Sequence, residues 1–536
     1  MAKYGDPVFG TVEEKYPLVH TANGKIIGEN RDKIAIFHGI PYGDRCDRER
    51  RFLPPEPMKP WKGVYDCTRN GNISIQLGES IAESEAFGFY WSGGGHPENF
   101  GVQYEKRSEN CLYLNVLTPG LDGKKRPVMV YFHGGGYSSN SGSEALGADR
   151  FVREQDLVMV SVNHRLDVMG YLYLGHIDQK YATSANAGLL DLKLSLEWVR
   201  DNIALFGGDP DNVTICGESG GGSKVCHIMS MPSARGLFKR AIVESGAGSP
   251  GLVTVEDAAK ITDTLLEKLG IKGDPDVIEK LLALPADALL MAGAGKRFGE
   301  GLPYGPAADD IVIMRADKPF AVPECARDIP VMVGSSEDEM AAFRGEAAQG
   351  VTPENLREKL LETAPSFGID IDARNVDEIL EVFRANNRKN DDAGHLLLKI
   401  CSSGGGLTQN AYYMACGKAK DGGAPVYRYF NRLDVPHNYL LGVKYAWHTF
   451  DTPLFFRIVP YDSLEAYSKK TSAMWAQFAR TGNPSTPDFQ WPEFDLETKR
   501  TAVFDDAFTV EEDPDREERE VMEKYNGTLN SMKINA

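Results

Sequence analysis

Short apolar runs rich in valine recur along the chain and alternate with stretches of helical spacing. "RPVMVYF" (126–132), "DLVMVSVN" (156–163), "NVTIC" (212–216), "KRAIVESG" (239–246), "IPVMVGSS" (329–336) and "PVYRYFNRL" (425–433) each have the length and Val/Ile content of a buried central strand. Between the second and third of these, Leu189, Leu192, Leu196, Val199 and Ile203 fall on one face of a helix over 188–206. "SKVCHIMSM" (223–231) predicts another helix. Residues from about 1 to 70, with proline-punctuated short strands such as "FHGIPYG" (37–43), read as an antiparallel lead-in to a sheet. Helical periodicity returns at about 255–300 and 353–420, in "DAAKITDTLLEKL" and "ENLREKLLET", as insertions into a sheet-forming core. The acidic "EEDPDREEREVMEKY" (511–525) reads as a solvated helical face. Strands alternating with helices predict an α/β architecture with a large, mixed, mostly parallel sheet and helices on both faces.

One feature of this pattern carries chemistry. The strand 212–216 runs straight into Gly217-Glu218-Ser219-Gly220-Gly221, with a helix after it. A serine among glycines between strand and helix is the setting in which a strained turn lifts a hydroxyl clear of a sheet as a nucleophile. The strand 126–132 leads into His133-Gly134-Gly135-Gly136-Tyr137, where glycines let several N–H groups converge on a developing oxyanion. No G-x-x-x-x-G-K-[ST] or G-x-G-x-x-G pattern occurs there, which argues against a phosphate loop. Oxyanion donors are expected from this loop and from the N–H that follows the serine, that of Gly220.

A serine nucleophile needs a base oriented by a carboxylate. The segment after the strand 329–336 offers three adjacent acids, Glu337, Asp338 and Glu339, and residue chemistry alone does not choose among them. Four histidines follow Ser219: His227 and His395 lie in helical segments and read as structural, while His437 and His448 flank the last loop.

Composition narrows the field. Of 536 residues 42% are apolar and 25% charged, an ordinary globular balance, and the formal net charge of −18 opposes nucleic acid and anionic membranes as partners. No stretch is long and apolar enough to span a bilayer, and the start lacks a signal-peptide pattern, so a cytoplasmic location is expected, or a secreted one had a leader been removed. The eight cysteines, at 46, 67, 111, 216, 226, 325, 401 and 416, have no zinc-like spacing and read as mostly buried thiols. Neither a metal nor an organic cofactor is expected. Residues 78–110 form an aromatic insertion in which Phe87, Phe89, Tyr90 and Trp91 either edge a substrate gorge or pack on the core.

The ordered blocks "FHGIPYG", "RFLPPEPMKPW", "SENCLYLNV", "HGGGY", "NAGLLD", "LEWVRDNIALFGGDPDNVTICGESGGG", "SARGLFKRAIVESG", "MWAQFARTGNP" and "WPEFD" resemble the type B carboxylesterases, the cholinesterase-like branch of the α/β hydrolases, over nearly the whole length. The resemblance implies an α/β-hydrolase fold spanning 1–536 as one catalytic domain, with helical insertions over an active-site gorge. It implies Glu339 as the acid, through G-x-x-x-D-E at Gly334–Glu339, with Asp338 structural. It selects His448 over His437, through "HTFDTPLFF" (448–456), implies the N–H groups of Gly135, Gly136 and Gly220 as oxyanion donors, and gives Ser245 a supporting role. Departures are Gly220 where alanine is commoner, which is expected to loosen the elbow while keeping its donor, Thr449 where glycine is usual, and His164 where tyrosine is commoner. The family's first disulfide would need a cysteine where Ser74 stands, and its second pair is missing, which agrees with a reducing compartment. The implied function is a serine carboxylesterase with Ser219, His448 and Glu339 as triad, acting on a small ester with an apolar or aromatic character. The alternatives are a non-catalytic binding module of the same fold, or hydrolysis of amides, thioesters or carbamates.

Overall fold

The computed structural model describes residues 16–77, 105–248, 253–294, 301–316, 318–389, 392–404, 406–436 and 444–530. Eleven strands form one sheet: β1 (Glu29–Arg31), β2 (Ile34–Pro41), β3 (Tyr113–Thr118), β4 (Arg126–Phe132), β5 (Val158–Val162), β6 (Gly208–Glu218), β7 (Arg240–Glu244), β8 (Val331–Ser336), β9 (Val426–Asn431), β10 (Arg500–Phe504) and β11 (Phe508–Glu512). Their order is β11-β10-β9-β8-β7-β6-β4-β5-β3-β2-β1. Neighbours from β5 through β4, β6, β7, β8 and β9 to β10 are parallel, and the pairings at both edges are antiparallel. The mixed, mostly parallel sheet is therefore present. The lead-in is less uniform than expected: outside the main sheet Lys25–Ile27 pairs antiparallel with Leu18–His20 but parallel with Val64–Asp66.

Alternation along β4 shows why the sheet is covered on both faces. Val128, Val130 and Phe132 point into a core shared with Leu189, Leu192, Leu196 and Val199 of the helix Ala187–Asn202. Met129 and Tyr131 point into a second core with Phe456 and Trp475, the latter on the helix Glu465–Thr481. A strand buried on both sides has no polar face, hence the unbroken apolar run in the sequence.

The segment after β7 contains the helices Val255–Leu269, Val277–Ala283 and Ala286–Gly293, and the segment after β8 contains Leu356–Thr363, Val376–Ala385, Ala393–Gly404 and Leu407–Asp421, at the places the periodicity marks. The acidic C-terminal segment is not a purely solvated face. Its first two residues, Glu511 and Glu512, end β11, and in the helix Arg516–Asn530 the residues Glu518, Arg519, Val521 and Met522 are buried, with Lys399 Nζ 3.0 Å from Glu518 Oε1 and the Arg519 guanidinium 3.7 Å from the Tyr412 ring centroid. Charge density along the segment hid an amphipathic stripe. No described helix is long and apolar enough to cross a membrane.

A buried ion pair ties the elements that carry β6 to those that precede it. Arg165, just past β5, meets Asp191 of the helix Ala187–Asn202 through Nη2 at 2.7 Å and Nε at 2.9 Å, and donates through Nη1 to Leu53 O at 2.8 Å. Both side chains are almost wholly buried. Removing one partner leaves the other charge without compensation, which costs about 3–5 kcal/mol. Asp191→Ala is therefore expected to lower unfolding free energy by that amount, read as a reduced guanidinium midpoint. A loss under about 1 kcal/mol would show that water or another anion replaces the carboxylate.

Candidate active site

Ser219 stands between the end of β6 and the helix Gly220–Met229, with φ 56° and ψ −126°. Non-glycine residues rarely hold such angles, at a cost of order 1–3 kcal/mol. The turn is held by Ser219 N–H donating to Glu244 O at 2.8 Å and Ser223 N–H to Ser219 O at 3.1 Å. Glycines make the crossing possible. A Cβ on Gly221 would lie 2.0 Å from Phe132 O, and one on Gly246 would lie 1.9 Å from Ser219 O. Ser219 itself remains partly exposed.

The loop after β4 lies over this turn. Gly135 and Gly136 have φ of 77° and 60°, and a Cβ on Gly134 would approach Ser219 Cβ to 3.5 Å. Among the described residues no acceptor takes the N–H groups of Gly135, Gly136 or Gly220. At Gly220 a Cβ would meet Gly136 O at 2.3 Å. Glycine there lets the glycine loop settle closer than a methyl group would allow.

The three neighbouring acids after β8 are sorted by their partners. Glu339 accepts from Ser245 Oγ and from Ser336 N–H, both at 2.7 Å through Oε1, and its Oε2 lies 2.5 Å from His448 Nδ1. A carboxylate only accepts, so Nδ1 carries the proton and in the neutral ring Nε2 presents its lone pair. Asp338 instead faces His395 Nε2 at 3.1 Å, and Glu337 faces Arg388 at 2.7 Å, with Lys399 and Arg432 at 3.5 and 3.6 Å. Burial disfavours a charged His395, but Asp338 and Glu337 outweigh it and hold the ring above its ordinary value. The ligand atoms of Glu337, Asp338 and His395 lie within 4.8 Å of one another. Arg388, Lys389, Lys399 and Arg432 already supply the counter-charge a divalent ion would bring, so the cluster reads as an ion-pair network.

The structure thus brings Glu339, His448 and Ser245 together beside the Ser219 turn. It does not close every contact: among the described residues Ser219 Oγ has no hydrogen bond, and His448 Nε2 lies 3.2 Å from Glu218 Oε1 without hydrogen-bond alignment. Catalytic hydrogen bonds are often long before substrate arrives. Phe343, 38% exposed, packs on the His448 ring at a centroid distance of 5.0 Å. Thr449 holds φ 70°, the left-handed value that explains the glycine usual at that position, and its buried hydroxyl has no hydrogen-bond partner among the described residues. His164 lies against His133 with ring centroids 4.8 Å apart and the planes tilted by 33°, a packing role. His227 Nδ1 lies 2.7 Å from Ser223 O within its own helix. His437 and the stretch 78–104, with Phe87, Phe89, Tyr90 and Trp91, lie outside the described residues. All eight cysteines are free, six of them buried and Cys325 and Cys416 partly exposed.

Sequence reading missed the carboxylates behind the histidine. Glu144, Glu218, Glu244 and Asp451 are all buried, and nothing in their local sequence marks them as neighbours. Burial, and then the surrounding acids, push Glu218 and Asp451 well above the usual carboxylate range. Burial pushes Glu244 up to about 8, although its Oε1 accepts from Trp475 Nε1 at 2.6 Å. Between about pH 4.5 and 8 the unfolded chain therefore releases this proton while the folded one keeps it, and each pH unit lowers stability by about 1.4 kcal/mol. Below that window the group is protonated in both states and contributes no slope. Glu244→Gln preserves the acceptor for Trp475 and removes the titration. Its stability should decline less steeply from pH 5 to 8 than that of the parent, by up to about 1.4 kcal/mol per pH unit, in denaturant titrations at several pH values; an unchanged slope would place the proton elsewhere.

Comparison with known proteins identifies the family. A family model described as the carboxylesterase family matches residues 15–522. The para-nitrobenzyl esterase of Bacillus subtilis (strain 168) is 30% identical over 526 residues, covering 94% of this chain and 98% of that protein. The acylcarnitine hydrolase of Mus musculus is 30% identical over 517 residues, covering 90% and 86%. Among solved structures, a Geobacillus stearothermophilus carboxylesterase superimposes with a TM-score of 0.77 at 31% identity, covering 94% of this chain and 99% of that one. The chain belongs to the carboxylesterase family and is a carboxylic ester hydrolase of the α/β-hydrolase fold.

Proposed function

We propose that the chain is a serine esterase working through Ser219, His448 and Glu339. The observation that carries this reading is the Glu339–His448 Nδ1 hydrogen bond of 2.5 Å beside a serine held at φ 56° on a strand-to-helix turn. His448 Nε2 takes the Ser219 proton as Oγ bonds to the ester carbonyl carbon, and the carbonyl electron pair moves onto oxygen. Glu339, fixed by Ser245 and Ser336, orients the imidazole and stabilises its cation. The N–H groups of Gly135, Gly136 and Gly220 receive the oxyanion. Collapse of the tetrahedral intermediate expels the alcohol, which takes the proton from His448, and water repeats the sequence on the acyl-enzyme. Each step uses groups of the chain and water.

Phe343, exposed against the imidazole, supports an apolar or aromatic group beside the scissile bond. The net charge of −18 gives anionic substrates no attraction, and small uncharged esters suit both features.

p-Nitrophenyl esters from acetate to laurate test the proposal. Ser219→Ala and His448→Ala are expected to lower kcat by about 10⁴-fold or more, while His437→Ala keeps parental turnover. Turnover confined to short acyl chains would size the acyl pocket. Loss of activity in His437→Ala with survival in His448→Ala would overturn the histidine assignment, and a folded parent inert on every ester would favour a binding module.

A further inference from the structure

A buried cation lies behind the glycine loop. Lys224, on the helix that begins directly after Ser219, is fully buried, and its Nζ donates to His133 O at 2.8 Å. The N–H of the same peptide group, that of Gly134, donates to Glu144 Oε2 at 3.2 Å. Glu144 lies in the 3₁₀ segment Gly142–Gly147, is equally buried, and accepts at the same oxygen from Tyr131 OH at 2.8 Å. One peptide unit, between β4 and the glycines, is thus gripped at its carbonyl from the Ser219 helix and at its N–H from the opposite side.

That grip has a mechanical meaning. Glycines impose little conformational preference of their own, so the aim of the N–H groups of Gly135 and Gly136 depends on how the peptide ahead of them is held. Burying an ammonium whose only hydrogen-bond acceptor among the described residues is a carbonyl is expensive, and a methionine would fill similar space without that cost. Burial drives Lys224 down to about 7 and Glu144 up to about 7, and each eases the other toward its charged form. Packing alone does not account for two such groups on one peptide.

We infer that Lys224 and Glu144 are positioning residues: by clamping the His133–Gly134 peptide they set the N–H groups of Gly135 and Gly136 at the distance from Ser219 that an oxyanion requires. This rests on the serine-esterase reading above. The clamp touches neither substrate nor reacting atoms. It acts through the loop, so its effect belongs to the transition state and not to ground-state binding.

The test pairs kinetics with an oxyanion analogue. An alkyl trifluoromethyl ketone accepts Ser219 Oγ at its carbonyl carbon; the carbonyl electron pair becomes the oxyanion and the serine proton passes to His448. Lys224→Met is expected to lower kcat on p-nitrophenyl acetate by about 10- to 100-fold with KM within about threefold, and to weaken the ketone by the same factor as kcat. Glu144→Leu should do likewise. Glu144→Gln, which keeps an oxygen for Gly134 N–H and Tyr131 OH, should stay within about threefold of the parent. Because both residues hold one peptide, Lys224→Met with Glu144→Leu should cost little more than the worse single variant. Folded variants with unchanged kcat, or with kcat lowered but ketone affinity intact, would overturn the clamp. Should Lys224→Met fail to fold, the contrast between Glu144→Leu and Glu144→Gln decides, and equal loss in both overturns it. Ser219→Ala retaining parental turnover would instead overturn the nucleophile assignment and the clamp with it.

Discussion

The site depends on how closely backbone can approach backbone at the crossing of β4, β6 and β7. A side chain on Gly221 would reach to 2.0 Å of Phe132 O, one on Gly246 to 1.9 Å of Ser219 O, and one on Gly220 to 2.3 Å of Gly136 O. No rotamer relieves contacts of that kind, because the obstructing atoms are main chain. The strained Ser219, the glycine loop above it and the start of the helix at Gly220 are thus consequences of one steric condition. The sheet meets that condition by aligning β4, β6 and β7 in parallel register, with Gly217 opposite Phe132 on one side and Val243 on the other.

Electrostatics is the second constraint. The region behind His448 gathers Glu144, Glu218, Glu244, Glu339 and Asp451 in the interior; burial pushes Glu144, Glu218, Glu244 and Asp451 toward the neutral acid, and neighbouring acids of the group add to this at Glu218 and Asp451. Glu339 differs in its hydrogen bonds: a hydroxyl, a backbone N–H and an imidazole N–H converge on it. One residue away Asp338 and Glu337 belong to another network, with His395, Arg388 and Lys399, which fastens the same turn to the helical insertion. A three-residue acidic run thus divides between chemistry and anchoring because the turn points successive side chains in different directions.

What the sequence determined by itself was whatever is encoded locally. Valine-rich runs of strand length marked the central strands, and a doubly covered sheet leaves no other periodicity to read. The glycines around Ser219 and in 134–136 announced close backbone approach, since few other uses repay their entropy. Local charge density misled at the C-terminus, where a stripe of Glu518, Arg519, Val521 and Met522 packs inward. Residue chemistry left Glu337, Asp338 and Glu339 open, as it did His437 and His448; family resemblance pointed to Glu339 and His448, and the fold pairs them at 2.5 Å. That pairing spans 109 positions, and so many intervening residues cannot be bridged by periodicity or motif spacing. The same holds for Glu144 and Lys224 on either side of one peptide: their contact exists only once β4 and the helix after Ser219 have packed, and no local pattern carries it.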